Sequence, residues 1–282
     1  MAGAETQPVV QITGVDKTFT GRDAGQTVAL QGIDLDIAPG EFVSLIGPSG
    51  CGKSTLLRVI GDLVQPTRGT VRVNGKSAEQ ARRDRDYGMV FQAPVLFDWR
   101  SVEDNVKLPL EILGKPKAWR AQRAKEMLEL VELGDFTRHM PYQLSGGMQQ
   151  RVAIARALSF EPRILLMDEP FGALDEMTRE RMNDEVLRIW QQTGTTIVFV
   201  THSIPEAVYL SSRVVVMSAR PGRITKIVDI DVPRPRDDES RESERYFQLI
   251  TEVREALRAG GGELDDSGTA SARRTLAEGA VG

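Results

Sequence analysis

The chain begins with apolar positions separated mostly by polar or small ones and shifts to a helical period in its middle. Val28, Leu30, Ile33, Leu35 and Ile37 are spaced as in a half-buried strand, and the turn Pro39-Gly40 follows. Phe42–Ile46 is a short strand that runs into a glycine-rich loop, and Ser54–Leu63 then reads as a helix. Val71–Val73 and Met89–Phe91 read as further strands. From Val102 to Leu133 the spacing is helical, with Trp119, Met127, Leu128 and Val131 recurring among Lys, Arg and Glu; Gly114 and Pro116 divide this region into two helices. Gly147–Leu158 is another helix, with Met148, Val152 and Ala155 on one face. Strand-like runs return at Ile164–Met167, Thr196–Val200 and Val214–Val216, with a helix over Met177–Gln192. Alternating strands and helices predict an α/β fold built on a largely parallel sheet covered on both faces, with the helical middle inserted as a lobe. Phe247, Ile250, Val253 and Leu257 predict one amphipathic helix near the C-terminus, and the Gly-, Ala- and Ser-rich stretch 259–282 reads as a disordered tail.

Composition narrows this picture. The 282 residues are 40 % hydrophobic and 27 % charged, as in ordinary globular domains. No apolar run reaches the length that spans a bilayer, and the first residues show no secretory signal. The single cysteine, Cys51, rules out an internal disulfide framework. A formal charge of −4 gives no general electrostatic footprint for nucleic acid, which is not expected as a partner.

Two segments carry chemistry. Gly47-Pro-Ser-Gly-Cys-Gly-Lys53-Ser54 fits the phosphate-loop pattern and stands between a strand and a helix, as that pattern requires. Gly47, Gly50 and Gly52 let the backbone bend around an anion, and its N–H groups, with the helix N-terminus behind them, point at phosphates. In such a loop Lys53 reaches the β- and γ-phosphates of ATP, and the Ser54 hydroxyl binds Mg²⁺. Pro48, Ser49, Cys51 and Thr55 complete the expected ATP-binding stretch, the Cys51 side chain as a small filler. Ile164-Leu-Leu-Met-Asp168-Glu169 is an apolar strand ending in two carboxylates. At the carboxyl edge of the sheet, Asp168 can hold Mg²⁺ and Glu169 can orient or deprotonate an attacking water.

Leu144-Ser145-Gly146-Gly147-Met148-Gln149-Gln150-Arg151 resembles the signature motif of ABC ATPases. Other landmarks stand in that family's order: Gln92 after the strand Met89–Phe91, Asp175 in Ala173-Leu174-Asp175, and His202 in Val200-Thr201-His202. The resemblance spans roughly residues 9–230. It implies a P-loop NTPase fold of ABC type, with a mostly parallel sheet core, an N-terminal antiparallel β subdomain and an inserted helical lobe. The domain would cover 7–235, with the lobe at about 93–160 and a helical extension at 236–258. Ser145 can cap its helix, and Gly146 and Gly147 leave the first N–H groups uncovered. The family uses this element, here Leu144, Ser145, Gly146, Gly147 and Gln149, against ATP held by a second copy. The resemblance also implies that Phe19 stacks on adenine, that Gln92 senses Mg²⁺ or water, that His202 meets the γ-phosphate, and that Asp175 lies at the dimer loop.

Ser218-Ala-Arg-Pro-Gly222, Val232-Pro-Arg-Pro-Arg236 and Asp98-Trp99-Arg-Ser-Val102 are similar to the ATPases of nitrate, taurine and aliphatic-sulfonate importers, although Asp98 stands where that family often has Pro. These stretches suggest no catalytic logic of their own. The implied partners are a second copy of the chain, transmembrane permease subunits and, indirectly, a solute-binding protein; the implied place is the cytoplasmic membrane face. Soluble ABC proteins of translation or repair fit less well, because the chain has one motif set and a short helical insert.

Overall fold

The computed structural model describes residues 7–20 and 25–261. Among them, strands form two sheets. In the first, β1 (Val10–Thr20) pairs antiparallel with β2 (Gln26–Ile37) on one side and β4 (Arg68–Val73) on the other, and the short β5 (Lys76–Ser77) lies beyond β4. The second contains β3 (Phe42–Ile46), β6 (Tyr87–Val90), β7 (Ile164–Asp168), β8 (Thr196–Val200), β9 (Arg213–Met217) and β10 (Ile224–Asp229). Their spatial order is β10-β9-β3-β8-β7-β6, parallel throughout except for the antiparallel edge strand β10. Every residue of β3, β7 and β8 is buried. Strands covered on both faces have no solvent side, so they read as continuous apolar runs, which is why these three were legible.

The helices are α1 (Lys53–Ile60), α2 (Ala78–Asp84), α3 (Val102–Ile112), α4 (Lys117–Leu130), α5 (Gly146–Leu158), α6 (Glu176–Thr193), α7 (Ile204–Leu210), α8 (Asp238–Glu242) and α9 (Glu244–Ala259). One core fills the space between the two sheets and α1, with Ile12, Leu35, Val43, Leu45 and Leu57 among its members. The other lies on the far face of the parallel sheet, where Phe42, Phe199 and Phe171 meet α5, α6, α7 and α9. The α3–α4–α5 lobe joins this second core through Val106, Leu128 and Ile154. Ser101 caps α3 by accepting from the Asp104 N–H at 3.1 Å, and Gly114 and Pro116 separate α3 from α4 as their spacing predicts.

Short elements escaped the pattern. Helices α2, α7 and α8 have five to seven residues, too few for a period to declare itself. The α1 helix begins at Lys53 and stops at Ile60, three residues short of the Leu63 expected, where Gly61 takes its C-cap. The C-terminal extension folds back on the main body: Leu249, Val253 and Leu257 of α9 are buried in the second core, beside α7 and β9. Positions 262–282, most of the expected disordered tail, lie outside the described residues. None of the described helices is long and apolar enough to cross a membrane.

Candidate functional site

Register brings the chemistry to one edge. Ile46 aligns with Val216, Leu45 with Val200, and Asp168 with Val200, so the carboxyl ends of β3, β7, β8 and β9 lie side by side. The chain leaves those ends as the Gly47–Gly52 loop, the Asp168-Glu169 pair, the Thr201-His202 pair and the Ser218–Arg223 turn. Ligands of open α/β sheets collect at this edge. There a cleft of about 280 Å³ is lined by Phe19, Thr27, Ala29, Ser49, Gly50, Gly52, Lys53, Ser54, Thr55, Glu169, His202 and Arg220. Three larger surface depressions, of about 860 and 960 Å³ against the helical lobe and about 310 Å³ beside α6, gather no comparable set of groups.

The loop is shaped for an anion. Gly52 sits at φ 108°, and a Cβ there would come within 2.9 Å of the Ala29 carbonyl, so only glycine fits. It stands at the N-cap of α1, whose first N–H groups open toward the cleft. The buried Lys53 Nζ donates to the carbonyls of Gly47 at 2.8 Å and Pro48 at 3.1 Å, which holds a cation over the loop. The Cys51 thiol is buried beneath, and burial pushes its pKa up, which keeps it a thiol and makes it the filler that the sequence suggested.

The carboxylates divide their work. The Ser54 hydroxyl donates to Asp168 Oδ1 at 2.6 Å, and Arg58 Nη2 lies 3.5 Å from Oδ2. A hydroxyl and a carboxylate are the ligand types Mg²⁺ takes alongside phosphate oxygens and water. Glu169 has φ 50°, a left-handed conformation that a non-glycine residue adopts at a cost and that is found at functional turns. Its Oε1 lies 2.6 Å from His202 Nε2. The hydrogen bond from His202 holds the Glu169 carboxyl below the usual range, so it stands ionised and ready to accept a proton.

Of the expected residues, the fold gathers Phe19, Ser49, Gly50, Gly52, Lys53, Ser54, Thr55, Glu169 and His202 in the cleft, with Asp168 joined through Ser54. Phe19 is 42 % exposed, and its ring carries the Lys17 ammonium 4.8 Å from its centroid. Gly47, Pro48 and Cys51 belong to the same loop but do not line the cleft. Gln92 does not line the cleft; its Nε2 lies against Gly172, in the turn that Glu169 opens. The signature segment is elsewhere. Ser145 caps α5 from the Met148 N–H at 3.3 Å and is exposed with Gly146, whereas Leu144 and Gly147 are buried. A Cβ on Gly147 would meet Thr178 Cγ2 at 2.9 Å, so this glycine allows close packing on α6. Gln149 donates to the carbonyls of Pro141 at 3.0 Å and Leu144 at 3.3 Å, tying the segment to itself. Asp175 caps α6 by accepting from the Thr178 N–H at 3.0 Å. Hydrogen bonding from Thr178 lowers its pKa.

Two groups were missed. Arg220 lines the cleft although its motif carried no catalytic logic. Glu206 is buried behind His202, where the Thr201 hydroxyl donates to its carboxyl group. A Glu in the first turn of a seven-residue helix gives no warning in sequence that both faces of the helix are covered.

Comparison with known proteins agrees with this geometry. Residues 30–172 match the family model described as ABC transporter. An uncharacterized ABC transporter ATP-binding protein of Methanocaldococcus jannaschii is 52 % identical over 225 residues, covering 80 % of this chain and 84 % of that protein. The aliphatic sulfonates import ATP-binding protein of Bacillus cereus is 42 % identical over 252 residues, covering 89 % and 97 %. A dimeric ATP-binding cassette solved in a post-hydrolysis state with ADP and Pi superposes with a TM-score of 0.68 at 36 % identity, over 78 % of this chain and 98 % of that one. With the phosphate loop, the paired carboxylates and the signature helix on one such fold, the chain belongs to the ABC transporter family and is an ATPase of that family.

Proposed function

We propose that this chain is the ATP-hydrolysing subunit of an importer whose membrane-spanning permease is carried on other chains, and that its solute is a small anion of the sulfonate, taurine or nitrate kind. The observation that carries the ATPase part is the convergence of Lys53, the Ser54–Asp168 pair and the Glu169–His202 pair in one cleft. Import and the anionic solute rest on likeness to the Bacillus cereus subunit, which covers nearly all of that protein.

In this reading Phe19 stacks on adenine and the loop N–H groups with Lys53 hold the phosphates. Ser54 and Asp168, with Gln92 beside the turn that follows Glu169, would hold Mg²⁺, which would supply positive charge to the phosphoryl group. Glu169 accepts the proton of the attacking water, and His202 orients Glu169 and faces the γ-phosphate. Ser145 and the α5 N-terminus do not line the cleft of their own chain, so they are left to serve the ATP of a second copy, with Asp175 at the seam. A two-fold pair then has two equivalent sites, and closure excludes water.

The permease contact falls on the segment after Gln92. Val95 is 59 % and Trp99 74 % exposed, unusual for apolar side chains of this size unless a partner covers them. Loop geometry is preset. Arg156 donates to the carbonyls of Pro94 at 2.9 Å and Val95 at 2.8 Å, and the buried Asn105 bonds Phe97, Arg100 and Ser101. The chain would thus sit on the cytoplasmic face of the membrane, reached by a solute-binding protein only through the permease.

The test is Glu169→Gln. Purified protein should bind MgATP as the wild type does, lose about 100-fold or more in turnover, and accumulate as an ATP-bound dimer in size-exclusion chromatography. Wild-type turnover by this variant would overturn the general-base assignment. A variant that stays monomeric with ATP at high concentration, even with its permease, would overturn the paired mechanism.

A further inference from the structure

The Ser218–Arg223 turn, which joins β9 to β10, is held from three sides. Gly222 N–H donates to the Ala29 carbonyl at 2.9 Å and its own carbonyl accepts from Gln31 N–H at 3.0 Å, so the turn adds a short parallel bridge to β2. Ser218 Oγ donates to the Pro221 carbonyl at 3.1 Å and accepts from the Arg223 N–H at 3.1 Å. Gly222 also lies directly under the phosphate loop: a Cβ there would fall 2.0 Å from the Cys51 carbonyl, so no other residue fits. These contacts leave Arg220 little choice of position. Its Nε and Nη2 both donate to the carbonyl of Gly50, at 3.3 and 3.2 Å, and its side chain forms part of the cleft wall.

We infer that Arg220 is a nucleotide-binding residue of this ATPase: it fixes the Gly50 peptide of the phosphate loop and places a positive charge beside the phosphate chain of ATP. Two facts favour this over a purely structural tether. Arg220 lines the same cleft as Phe19, Thr27 and Ala29 on one hand and Ser49 and Gly50 on the other, and its guanidinium lies at the phosphate loop itself. A guanidinium also has five N–H donors, and two bonds to one neutral carbonyl leave donors and the full charge for an anion. The tether presets the loop, and the charge acts on the ligand, so the same residue contributes in both ways. This rests on the ATPase reading above.

The test measures MgATP binding to the purified full chain by calorimetry at two salt concentrations. It compares wild type, Arg220→Ala, Arg220→Lys and Arg220→Gln, with Lys53→Ala as the control for the ATP site itself and a thermal melt for each variant. Arg220→Ala should weaken MgATP about tenfold and make affinity less sensitive to salt, as expected when one charged contact to phosphate is lost. Arg220→Lys should recover most of the affinity, and Arg220→Gln, which can still reach the Gly50 carbonyl but carries no charge, should recover only a small part of it and keep the weakened salt dependence of the alanine variant. In hydrolysis assays the change should fall on KM rather than kcat. Wild-type affinity in Arg220→Ala overturns the inference, as does full recovery in Arg220→Gln, which would make Arg220 a neutral tether. Failure of the ATPase reading looks different: wild type and Lys53→Ala would then bind MgATP equally poorly.

Discussion

Glu206 shows how much one side chain depends on what covers it. It follows a serine cap in the first turn of α7, a place where an exposed glutamate is ordinary. Here it is buried, and its Oε1 and the Oδ1 of the neighbouring Asn183 are both buried without a partner. A proton on the carboxyl would give the unpartnered Oε1 a donor to offer in place of a buried, unpaired charge. Burial accordingly pushes the Glu206 pKa up to about 7, against smaller opposing effects of the Thr201 hydrogen bond and the charges of Arg179 and His202. A carboxyl whose folded pKa is raised stabilises the fold fully below its unfolded pKa, near 4.5, and that stability is lost as pH rises through about 7. Glu206→Gln carries the neutral form at every pH. Its unfolding free energy should therefore gain on the wild type by on the order of 2 kcal/mol between pH 5 and pH 8. Parallel pH–stability curves for the two proteins, from urea titrations, would refute the assignment.

The helix α7 shows how one element is finished by a distant one. Its last carbonyls have no partner within the helix. Arg236 supplies them: its guanidinium donates to the carbonyls of Val208, Tyr209 and Ser211 at 3.1, 2.7 and 2.8 Å, and to those of Ile230 and Val232 at 3.4 and 3.2 Å. Arg234 donates to the Leu210 carbonyl at 2.9 Å while its guanidinium stacks 4.2 Å from the centre of the Trp190 ring. The Val232-Pro-Arg-Pro-Arg236 stretch is thus the C-terminal cap of the helix that follows His202. Arg236→Met keeps much of the volume and removes every bond, leaving buried carbonyls unsatisfied. It should cost about 2–4 kcal/mol, read as a lower denaturant midpoint. Because α7 follows His202 directly, turnover should fall with it at temperatures where the variant is still folded.

At the scale of the whole molecule, the exposed apolar loop and the separated signature helix both call for surfaces that one chain lacks. Cys51 is buried, so a cysteine introduced at an exposed position can be labelled selectively. Trp99→Cys and Val95→Cys should cross-link to the permease in assembled complexes. A cysteine at Arg83, on exposed α2, should not. Val102, Asn105 and Val106 are buried and would report folding rather than docking. Cross-links from Arg83 alone would overturn the proposed orientation on the membrane.

The sequence by itself determined the five parallel strands of the larger sheet, though not its antiparallel edge strand, together with the helices of the lobe and the phosphate loop. Continuous apolar runs, a 3.6-residue period and a glycine spacing are local properties, and each states its own structure. It also indicated Asp168 and Glu169, because a buried strand that ends in carboxylates must deliver them to the sheet edge. Only the tertiary structure decided the rest. Arg220 became a wall of the ATP cleft because strand order sets β9 beside β3, which no spacing along the chain encodes. Gly147 became a packing residue because Thr178 lies against it from 31 positions away. Arg236, read on its own, is one more charge in a polar stretch; five carbonyls gathered from two segments make it a cap. Local pattern reports what a segment does to its own backbone. The roles of these three residues depend on long-range neighbours that exist only once the sheet has assembled.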